Sequence, residues 1–481
     1  MYNNITLLYT TRNQQTRKDR PIMKKLLSIL LACVLLFGMV SCTADNGDET
    51  TGTPAQTTAP QDETTEGGAT DETTPADTTE SQEPVNKSPF GISMSDLHDR
   101  MQPLFGSKTI QNETIMFLDE GDVRTLLYPI DTIISVKSYT GQKEYKEGVD
   151  YELVDGKIKV LEGSSIPCIT KEKFYNSPGS RLKTMYNGQE VLTYWGEDLL
   201  PMYWQVSVTY THSREWKGFK HSCQSDIYEN FIKKLQNGED VTVIFSGDSI
   251  TAGANASYNA NYPPNQHPYP MLFCEALADL FDYTVKYIQV KDNLTDTCPR
   301  VPTKDYVPDT NGEGTRGTIT YINTAVGGWN SAKALSNIQR YVLDYIDNYG
   351  CDLFVAALGM NDTNNTALAS NMKSITDLVL GAAPKTSVVL LSTMVCHPYS
   401  TNYDASIRAD QRYVMKDLAS AYRADGIACG VCDMGSVSLS ILERKEFHDC
   451  SGNNINHPND FFGRVYAQTL LQTVIGYENM G

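Results

Sequence analysis

The sequence predicts an α/β protein: a parallel sheet with helices on both faces, preceded by an all-β region. Two observations lead to this fold class. After residue 222, apolar runs of strand length alternate with amphipathic segments, and such alternation indicates a parallel sheet covered by helices. From residue 88 to about residue 220, short alternating runs are separated by turn signals, which indicates a sandwich or a jelly roll.

Length and charge set limits on the interpretation. A chain of 481 residues exceeds one typical domain, so two or three folded units are expected. The net charge of −18 argues against a nucleic-acid partner, because phosphate binding requires a clustered basic surface. The acidity does not identify a substrate.

Residues 1–42 are organised as a secretory signal behind a short N-terminal extension. Two lysines precede an apolar run, residues 26–40, which is shorter than the roughly 20 residues needed to cross a bilayer. The run ends in Ser41-Cys42, which resembles the lipobox of bacterial lipoproteins, where the cysteine thiol is acylated. We expect Cys42 to anchor the protein by a lipid at the extracellular face of a bacterial cell envelope. An ordinary cleaved signal and an uncleaved anchor are the alternatives.

Residues 43–88 form an acidic segment rich in threonine. The segment contains no aromatic residue and cannot bury enough apolar surface to offset its ordering entropy, so we expect a disordered linker. Its like charges keep it extended, as a surface tether requires. A glycosylated stalk would have the same mechanical effect.

Residues 89–221 are predicted to form the β domain. The clearest element is a hairpin over residues 151–160, where Asp155-Gly156 suits a type I′ turn. Further strands are predicted at 114–118, 125–130, 132–136, 191–195 and 204–211. The aromatic residues of this domain are either core residues or a sugar-binding platform; they are Tyr194, Trp195, Tyr203, Trp204 and Trp216.

Residues 222–481 are predicted to form the α/β domain. It begins with a helix at 226–235, followed by strands at 241–245, 287–290, 319–322, 353–358 and 388–391. The helices between them are predicted at 271–281, 332–349, 375–380 and 411–422. In such sheets the functional residues collect at the C-terminal ends of the strands.

Polar motifs follow these strands. Ser249 lies in Gly-Asp-Ser directly after the first strand, Gly328 is the second of two adjacent glycines after the third, and Asn361 lies in Gly-Met-Asn-Asp after the fourth. His457 lies in Asn-Ile-Asn-His-Pro before a predicted final helix from Phe462. Gly-Asp-Ser alone is common in turns, so the motifs are informative only together.

In this order and at these strand ends, the four motifs resemble the blocks of the SGNH hydrolases, a branch of the GDSL esterase/lipase superfamily. The resemblance covers residues of about 240–480. It implies a flavodoxin-like three-layer α/β/α fold and hydrolysis of esters without a metal or another cofactor. The β domain in front is similar to the arrangement of some carbohydrate esterases.

The resemblance implies that Ser249 is the nucleophile and His457 the general base. The residue types suit these roles. A serine hydroxyl is a weak nucleophile until a neighbouring base takes its proton, and neutral imidazole can do so near neutral pH.

The resemblance also implies an oxyanion hole. Its donors would be the N–H groups of Ser249 and Gly328 and the side-chain amide of Asn361, which stabilise the negative charge of a tetrahedral intermediate. Asn323 corresponds to the leading asparagine of the glycine motif, and Asp248 forms the turn before the nucleophile. We treat both as supporting residues.

One position departs from the family pattern. The family usually carries aspartate three residues before the histidine, where this chain has Asn454. An amide oxygen can fix the imidazole tautomer but offers no charge to the imidazolium. The sequence therefore leaves open a Ser–His dyad oriented by Asn454, Asn456 or a backbone carbonyl, and a displaced acid such as Asp449.

Other histidines and the cysteines are weaker candidates for chemistry. His397 follows a predicted strand, and His267 and His448 are predicted to lie in loops. His457 alone lies in a motif that matches the SGNH hydrolases. Nine cysteines lie beyond the signal, an odd number that suggests no disulfide framework. Cys429-x-x-Cys432 lacks a second pair, so most cysteines are expected to be small buried residues.

Three functions are compatible with these motifs. The first is an esterase that removes small acyl groups, above all acetyl, from cell-wall polysaccharides or oligosaccharides. The second is a lipase or lysophospholipase, which would require an apolar acyl channel; Tyr258, Tyr262 and Tyr269 suggest a sugar-stacking surface instead. The third is a non-catalytic glycan-binding protein, for which Asn454 is the only argument.

Overall fold

The computed structural model describes residues 101–477, except for 179, 181, 197–199, 289, 291–309, 312–313 and 402. The predicted signal and linker over residues 1–88, and with them Cys42, lie outside these residues. The described residues belong to one compact unit.

The β region consists of small antiparallel sheets. Its strands are β1 (Thr109–Met116), β2 (Val123–Arg124), β3 (Thr132–Ser138), β4 (Glu144–Tyr145), β5 (Tyr151–Val154), β6 (Lys157–Val160), β7 (Leu182–Tyr186), β8 (Gln189–Thr193) and β9 (Gln205–Thr211). They form sheets in the orders β1-β9-β3-β4, β2-β6-β5 and β7-β8. A short helix, α1 (Lys171–Tyr175), precedes β7. The predicted β region is confirmed, whereas residues 125–130, predicted as a strand, follow the short β2 without joining a ladder.

The predicted hairpin is confirmed in detail. Tyr151 pairs with Val160 and Val154 with Lys157, so the turn has two residues. Asp155 and Gly156 both have positive φ, at 50° and 71°, as a type I′ turn requires.

The α/β region is built on a seven-stranded sheet among the described residues. Its strands are β10 (Val241–Gly247), β11 (Tyr283–Ile288), β12 (Thr310–Asn311), β13 (Gly317–Asn323), β14 (Leu353–Ala357), β15 (Ser387–Ser392) and β16 (Cys429–Asp433). They lie in the order β12-β11-β13-β10-β14-β15-β16, and only the short edge strand β12 is antiparallel to its neighbour. The predicted parallel sheet is confirmed.

Helices cover both faces of this sheet. They are α2 (Glu229–Asn237), α3 (Tyr269–Phe281), α4 (Ser331–Ser336), α5 (Asp344–Tyr349), α6 (Asn365–Ala382), α7 (Ala405–Ala424), α8 (Met434–Leu442), α9 (Phe447–Cys450) and α10 (Asp460–Ile475). Consecutive strand residues point to opposite faces. Accordingly, Val243 and Phe245 belong to one hydrophobic core and Ile244 to a second, which gives the three-layer arrangement. No helix within the described ranges is long and apolar enough to span a bilayer.

The first of these cores is shared with the β region. It contains Val206 and Val208 from β9 together with Phe461 and Val465 from α10. The β region therefore packs against the α/β region through apolar side chains that both contribute to one interior.

The cysteine pair belongs to the sheet. Cys429 and Cys432 lie in β16, a strand that the sequence did not predict, and both are fully buried. The eight cysteines among the described residues are free thiols, six of them buried. Burial raises the pKa of Cys429 to about 12, so it is an unreactive core thiol.

Candidate active site

The sheet order brings three of the predicted motifs to one place. β10 pairs in parallel with β13 on one side and with β14 on the other. The loops after these three strands carry Ser249, Gly328 and Asn361, so all three leave the same edge of the sheet. After β10 the chain first adds β11 and β13 on one side of that strand and then adds β14, β15 and β16 on the other. The C-terminal end of β10 is therefore a topological switch point, the place where ligands bind in open α/β sheets.

Ser249 and His457 are in hydrogen-bonding contact although they lie 208 residues apart in sequence. The Ser249 Oγ to His457 Nε2 distance is 2.9 Å, and both side chains are buried. This is the contact expected between a nucleophile and its general base.

The other ring nitrogen of His457 contacts Asn255, which the sequence analysis did not single out. The distance from His457 Nδ1 to Asn255 Oδ1 is 2.7 Å. Asn255 Nδ2 faces the carbonyl of Gly452 at 3.4 Å, which directs Oδ1 towards the ring. Because Oδ1 can only accept, Nδ1 must carry the proton, and Nε2 is then free to accept the proton of Ser249.

Close packing between two loops holds Asn255 in this place. Its backbone has a φ of 62°, in the left-handed region that asparagine tolerates better than most residues. A Cβ atom on Gly452 would lie 2.6 Å from the Cβ of Asn255, so a larger residue at position 452 would separate the loops. The sequence offered no signal for Asn255, since an asparagine in a loop usually indicates only a turn.

The turn that carries Ser249 is tied to the neighbouring strand. Asn323, at the end of β13, donates from Nδ2 to the carbonyl of Thr251 at 2.8 Å. Thr251 Oγ1 in turn lies 2.9 Å from the hydroxyl of Tyr269 on α3. The predicted supporting residue Asn323 thus holds the turn of Ser249 from the neighbouring strand, β13.

Gly328 and Asn361, the predicted oxyanion donors, lie in the loops after β13 and β14, the strands on either side of β10. Gly328 has a φ of 76°, and a Cβ there would meet no heavy atom within 4 Å, so its exposed backbone faces open space. Asn361 donates one amide hydrogen to the carbonyl of Trp329 at 3.0 Å. An amide carries a second N–H, which Asn361 can offer to a substrate oxygen.

A buried carboxylate fastens these two loops together. Asp362 accepts hydrogen bonds from the backbone N–H and the hydroxyl of Ser331, the latter at 2.5 Å. Ser331 starts α4, directly after the glycine motif. On the other side, the guanidinium of Arg408 donates twice to the carbonyl of Met360. Both contacts fix the backbone on either side of Asn361.

Asp248, the residue before the nucleophile, is buried beneath the site. Its Oδ1 accepts from the N–H of Ile250 at 3.0 Å, which closes the turn around Ser249. Burial raises the pKa of Asp248 to about 7, and the nearby Asp362 acts in the same direction. Asp248 shapes the turn and does not face the imidazole through any of its described hydrogen bonds.

The loop that carries His457, residues 451–459, has its own internal support and is called the His457 loop below. Asn453 Oδ1 accepts from the N–H groups of Ile455, Asn456 and His457 at 2.9, 3.0 and 3.1 Å. The hydroxyl of Ser451 donates to the carbonyl of His457 at 2.8 Å. The sequence analysis missed Asn453 as well.

The residues proposed from sequence to orient His457 have other partners. Asn454 Nδ2 donates to the carbonyl of Tyr194 in the β region at 2.7 Å, and Asn456 Oδ1 accepts from Asn453. Asp449 accepts from Arg124 Nη2 at 2.6 Å and from the N–H of Met116. The structure places Asn255, and neither Asn454 nor Asp449, on the imidazole Nδ1.

The alternative histidines also lie away from the serine. His267 Nδ1 contacts Glu275 at 2.6 Å, and the ring of His448 packs edge-on against Phe174. His397 accepts from the N–H of Tyr399. Burial lowers the pKa of both His397 and His448 to about 3, so neither is protonated near neutral pH.

The aromatic residues of the β region and the tyrosines of the segment after Ser249, both considered for sugar binding, divide into core and surface residues. Trp216 and Tyr269 are buried. Tyr203 is 49% exposed, and its ring meets that of Tyr262 edge-on at a centroid distance of 5.3 Å. Tyr203 belongs to the β region and Tyr262 to the loop that also carries Asn255, so this pair crosses the boundary between the two regions.

The three-layer α/β fold and the Ser249–His457 contact suit a hydrolase. Residues 243–459 match the family of GDSL-like lipases and acylhydrolases, and this part of the chain is a GDSL/SGNH hydrolase domain. The β region lies outside the match. No curated protein matches the chain.

Several solved structures are distantly similar. A two-domain esterase (CEX) active on acetylated mannans, co-crystallized with mannopentaose, is 14% identical with a TM-score of 0.38, over 54% of this chain and 55% of that chain. The acetyl xylan esterase AlAXEase is 17% identical with a TM-score of 0.33, over 49% of this chain and 100% of that one. A family 3 carbohydrate esterase from Talaromyces cellulolyticus is 16% identical with a TM-score of 0.33, over 50% of this chain and 99% of that one. The similarity thus spans about half the length of the two-domain esterase.

Replacement of Asn361 tests the oxyanion hole. We expect Asn361→Ala to lower kcat by about 10²- to 10³-fold with a smaller change in KM, because the amide contributes mainly in the transition state. Steady-state kinetics with p-nitrophenyl acetate measure both constants. A change confined to KM would show instead that Asn361 binds the ground state.

Proposed function

We propose that the protein is a serine esterase that hydrolyses small acyl esters, above all acetyl esters, on polysaccharides or oligosaccharides. The observation that carries the proposal is the chain of contacts from Ser249 through His457 to Asn255, with hydrogen-bond distances of 2.9 and 2.7 Å. It contains a nucleophile, a base and an acceptor that fixes the tautomer of the base.

In this mechanism Ser249 Oγ attacks the ester carbonyl while its proton moves to His457 Nε2. The negative oxygen that forms is stabilised by the N–H groups of Ser249 and Gly328 and by the Asn361 amide. The imidazolium then gives its proton to the leaving sugar hydroxyl, which leaves an acyl-serine. Water attacks the acyl-serine, His457 accepts its proton and passes it to Ser249, and the carboxylic acid is released.

The surroundings of the site support a carbohydrate as the carrier of the ester. The aromatic pair of Tyr203 and Tyr262 offers ring surface next to the loop of Asn255. Tyr262 also stacks on Tyr139, which lines a cleft between the β region and α10. Polar side chains of that cleft, such as Asn112, suit sugar hydroxyls better than an acyl chain.

An acetate-release screen tests the substrate class. Acetylated mannan, xylan and pectin should release acetate, and p-nitrophenyl esters should be hydrolysed more slowly as the acyl chain grows from two to eight carbons. A preference for long acyl chains would indicate a lipase or lysophospholipase. Binding of the glycans without any ester hydrolysis would indicate a non-catalytic glycan-binding protein.

We also propose that a lipid on Cys42 anchors the enzyme at the extracellular face of the cell envelope. The support is the sequence alone: an apolar run, the Ser41-Cys42 ending and the acidic tether that follows. The full-length protein expressed in a bacterium should partition into the detergent phase, and Cys42→Ser should abolish partitioning or leave the signal uncleaved. A fully soluble wild-type protein whose mature chain begins elsewhere than at Cys42 would refute the anchor.

A further inference from the structure

The β region contacts the His457 loop directly. Asn454 donates to the carbonyl of Tyr194 at 2.7 Å, and the N–H of Gly196 approaches the carbonyl of Asn453 at 3.4 Å. Gln205, the first residue of β9, donates to the carbonyl of Ser451 at 2.9 Å. All three contacts fall on the His457 loop.

The β region also holds the segment before the His457 loop and the last residue of the loop. Before the loop, Asp449 on α9 bonds to Arg124 and to the backbone of Met116. Burial opposes its charge, but the guanidinium of Arg124 keeps the pKa of Asp449 below its ordinary value. At the end of the loop, Asn459 Nδ2 donates to Thr114 Oγ1 at 2.9 Å and to Gln205 Oε1 at 3.1 Å.

The α/β region also contacts the backbone of the same loop. The N–H of His397 donates to the carbonyl of Ile455 at 2.7 Å, and Asn255 Nδ2 lies 3.4 Å from the carbonyl of Gly452. The bonds from Asn453 fix the shape of the loop but not its place over the sheet. Its place over the sheet therefore depends on both regions, and the β region acts through its bonds to Ser451, Asn453 and Asn454.

We propose that the β region is a positioning part of the catalytic site, and that Asn454 is the positioning residue through which it keeps His457 in register with Ser249. The proposal rests on the Ser249–His457 chemistry proposed above. A displacement of about 1 Å between reacting groups can cost about 100-fold in rate. The position where the family usually carries its acid is here used to hold the loop, while Asn255 contacts the ring.

The test compares two substitutions at position 454. Asn454 has a φ of 60°, so Asn454→Gly removes the bond to Tyr194 without straining the backbone. We expect kcat for p-nitrophenyl acetate to fall about 10- to 100-fold, with KM changed less than about threefold. Asn454→Asp, which loses the donor but restores the family's residue, should be equally defective and should not shift the pH profile.

Asn187→Gly is the matched control, because Asn187 also has a positive φ but lies in the turn between β7 and β8. It should keep wild-type kinetics. Higher activity of Asn454→Asp, with an acidic limb moved to higher pH, would overturn the proposal, since a carboxylate there would be acting on the imidazole. Wild-type kcat in Asn454→Gly would overturn it equally.

A second readout does not depend on turnover. In ¹⁵N-histidine-labelled protein, with His457 assigned by its loss in His457→Gln, the ring nitrogens should show the Nδ1–H tautomer in the wild type and a mixture in Asn454→Gly. An unchanged tautomer in that variant would count against the proposal. Failure to release acetate from glycans would refute only the substrate class, because both of these measurements use other probes.

Discussion

Ser249→Ala should lower kcat for p-nitrophenyl acetate by about 10⁵- to 10⁶-fold, the scale on which a catalytic serine acts. The hydroxyl that attacks the ester and the proton that His457 accepts are lost together. The substitution leaves the backbone of the turn unchanged, and the Asp248–Ile250 and Asn323–Thr251 contacts that shape it do not involve the Ser249 side chain. The melting temperature should therefore change by only a few degrees.

Ser246→Ala is the control for this experiment. Ser246 is a buried serine of β10, three residues before the nucleophile. This variant shows how much stability the loss of a buried hydroxyl costs in this part of the chain, and it should retain activity. Undiminished hydrolysis by Ser249→Ala would remove Ser249 from the mechanism, whatever the role of the other residues.

The fold of the α/β region could be predicted because its strands are buried on both faces. Buried parallel strands form mostly apolar runs, and β10, β14 and β15 are buried along their whole length, whereas β13 is only partly buried. Some helices are longer than predicted. For example, α6 was predicted over residues 375–380 but begins at Asn365, where the side chain of the N-cap residue Asn364 accepts from two backbone N–H groups. β16 was missed because its sequence, Cys-Gly-Val-Cys-Asp, contains only one β-branched residue.

The proposed catalytic pair could be predicted from motifs, but the residues that hold His457 in place could not. Ser249 and His457 lie in recognisable motifs at the ends of elements. Asn255 and Asn453 act through side-chain bonds to groups brought together by the tertiary fold, and Asn255 is 202 residues from its partner. Neither hydrophobic periodicity nor local turn preference contains information about such a contact.

The same limit explains the interpretation of Asn454 and Asp449. Asn454 was a candidate to orient His457 because it stands where the family usually carries its acid, and Asp449 was a candidate acid because it is close to His457 in sequence. In the structure their side chains point to the β region, to Tyr194 and Arg124. Proximity along the chain did not indicate direction, because the His457 loop folds back on itself between Ser451 and Pro458.

Asn255→Gly should lower kcat by about 10³- to 10⁴-fold. Glycine adopts a φ of 62° without strain, so the backbone is kept. The substitution removes the amide oxygen that keeps the proton on His457 Nδ1. Without it the ring can rotate or adopt the other tautomer, and the wrong tautomer at this position costs a serine protease about 10⁴-fold. Asn265→Gly, with a φ of 57° in the same loop, is the matched control and should behave as the wild type.

Asn255→Asp gives the opposite test, because it keeps an acceptor in the same place and adds a charge. A carboxylate beside the ring favours the imidazolium and so raises the pKa of His457. The base form is then lost at a higher pH, which moves the acidic limb of the kcat/KM profile upward. Below this limb the variant should be slower than the wild type; above it, the variant should be faster, because the charge stabilises the imidazolium that forms in the transition state. Profiles of both enzymes from pH 5 to pH 9 measure the crossing. Parallel profiles without a crossing would mean that residue 255 does not act on the imidazole during the reaction.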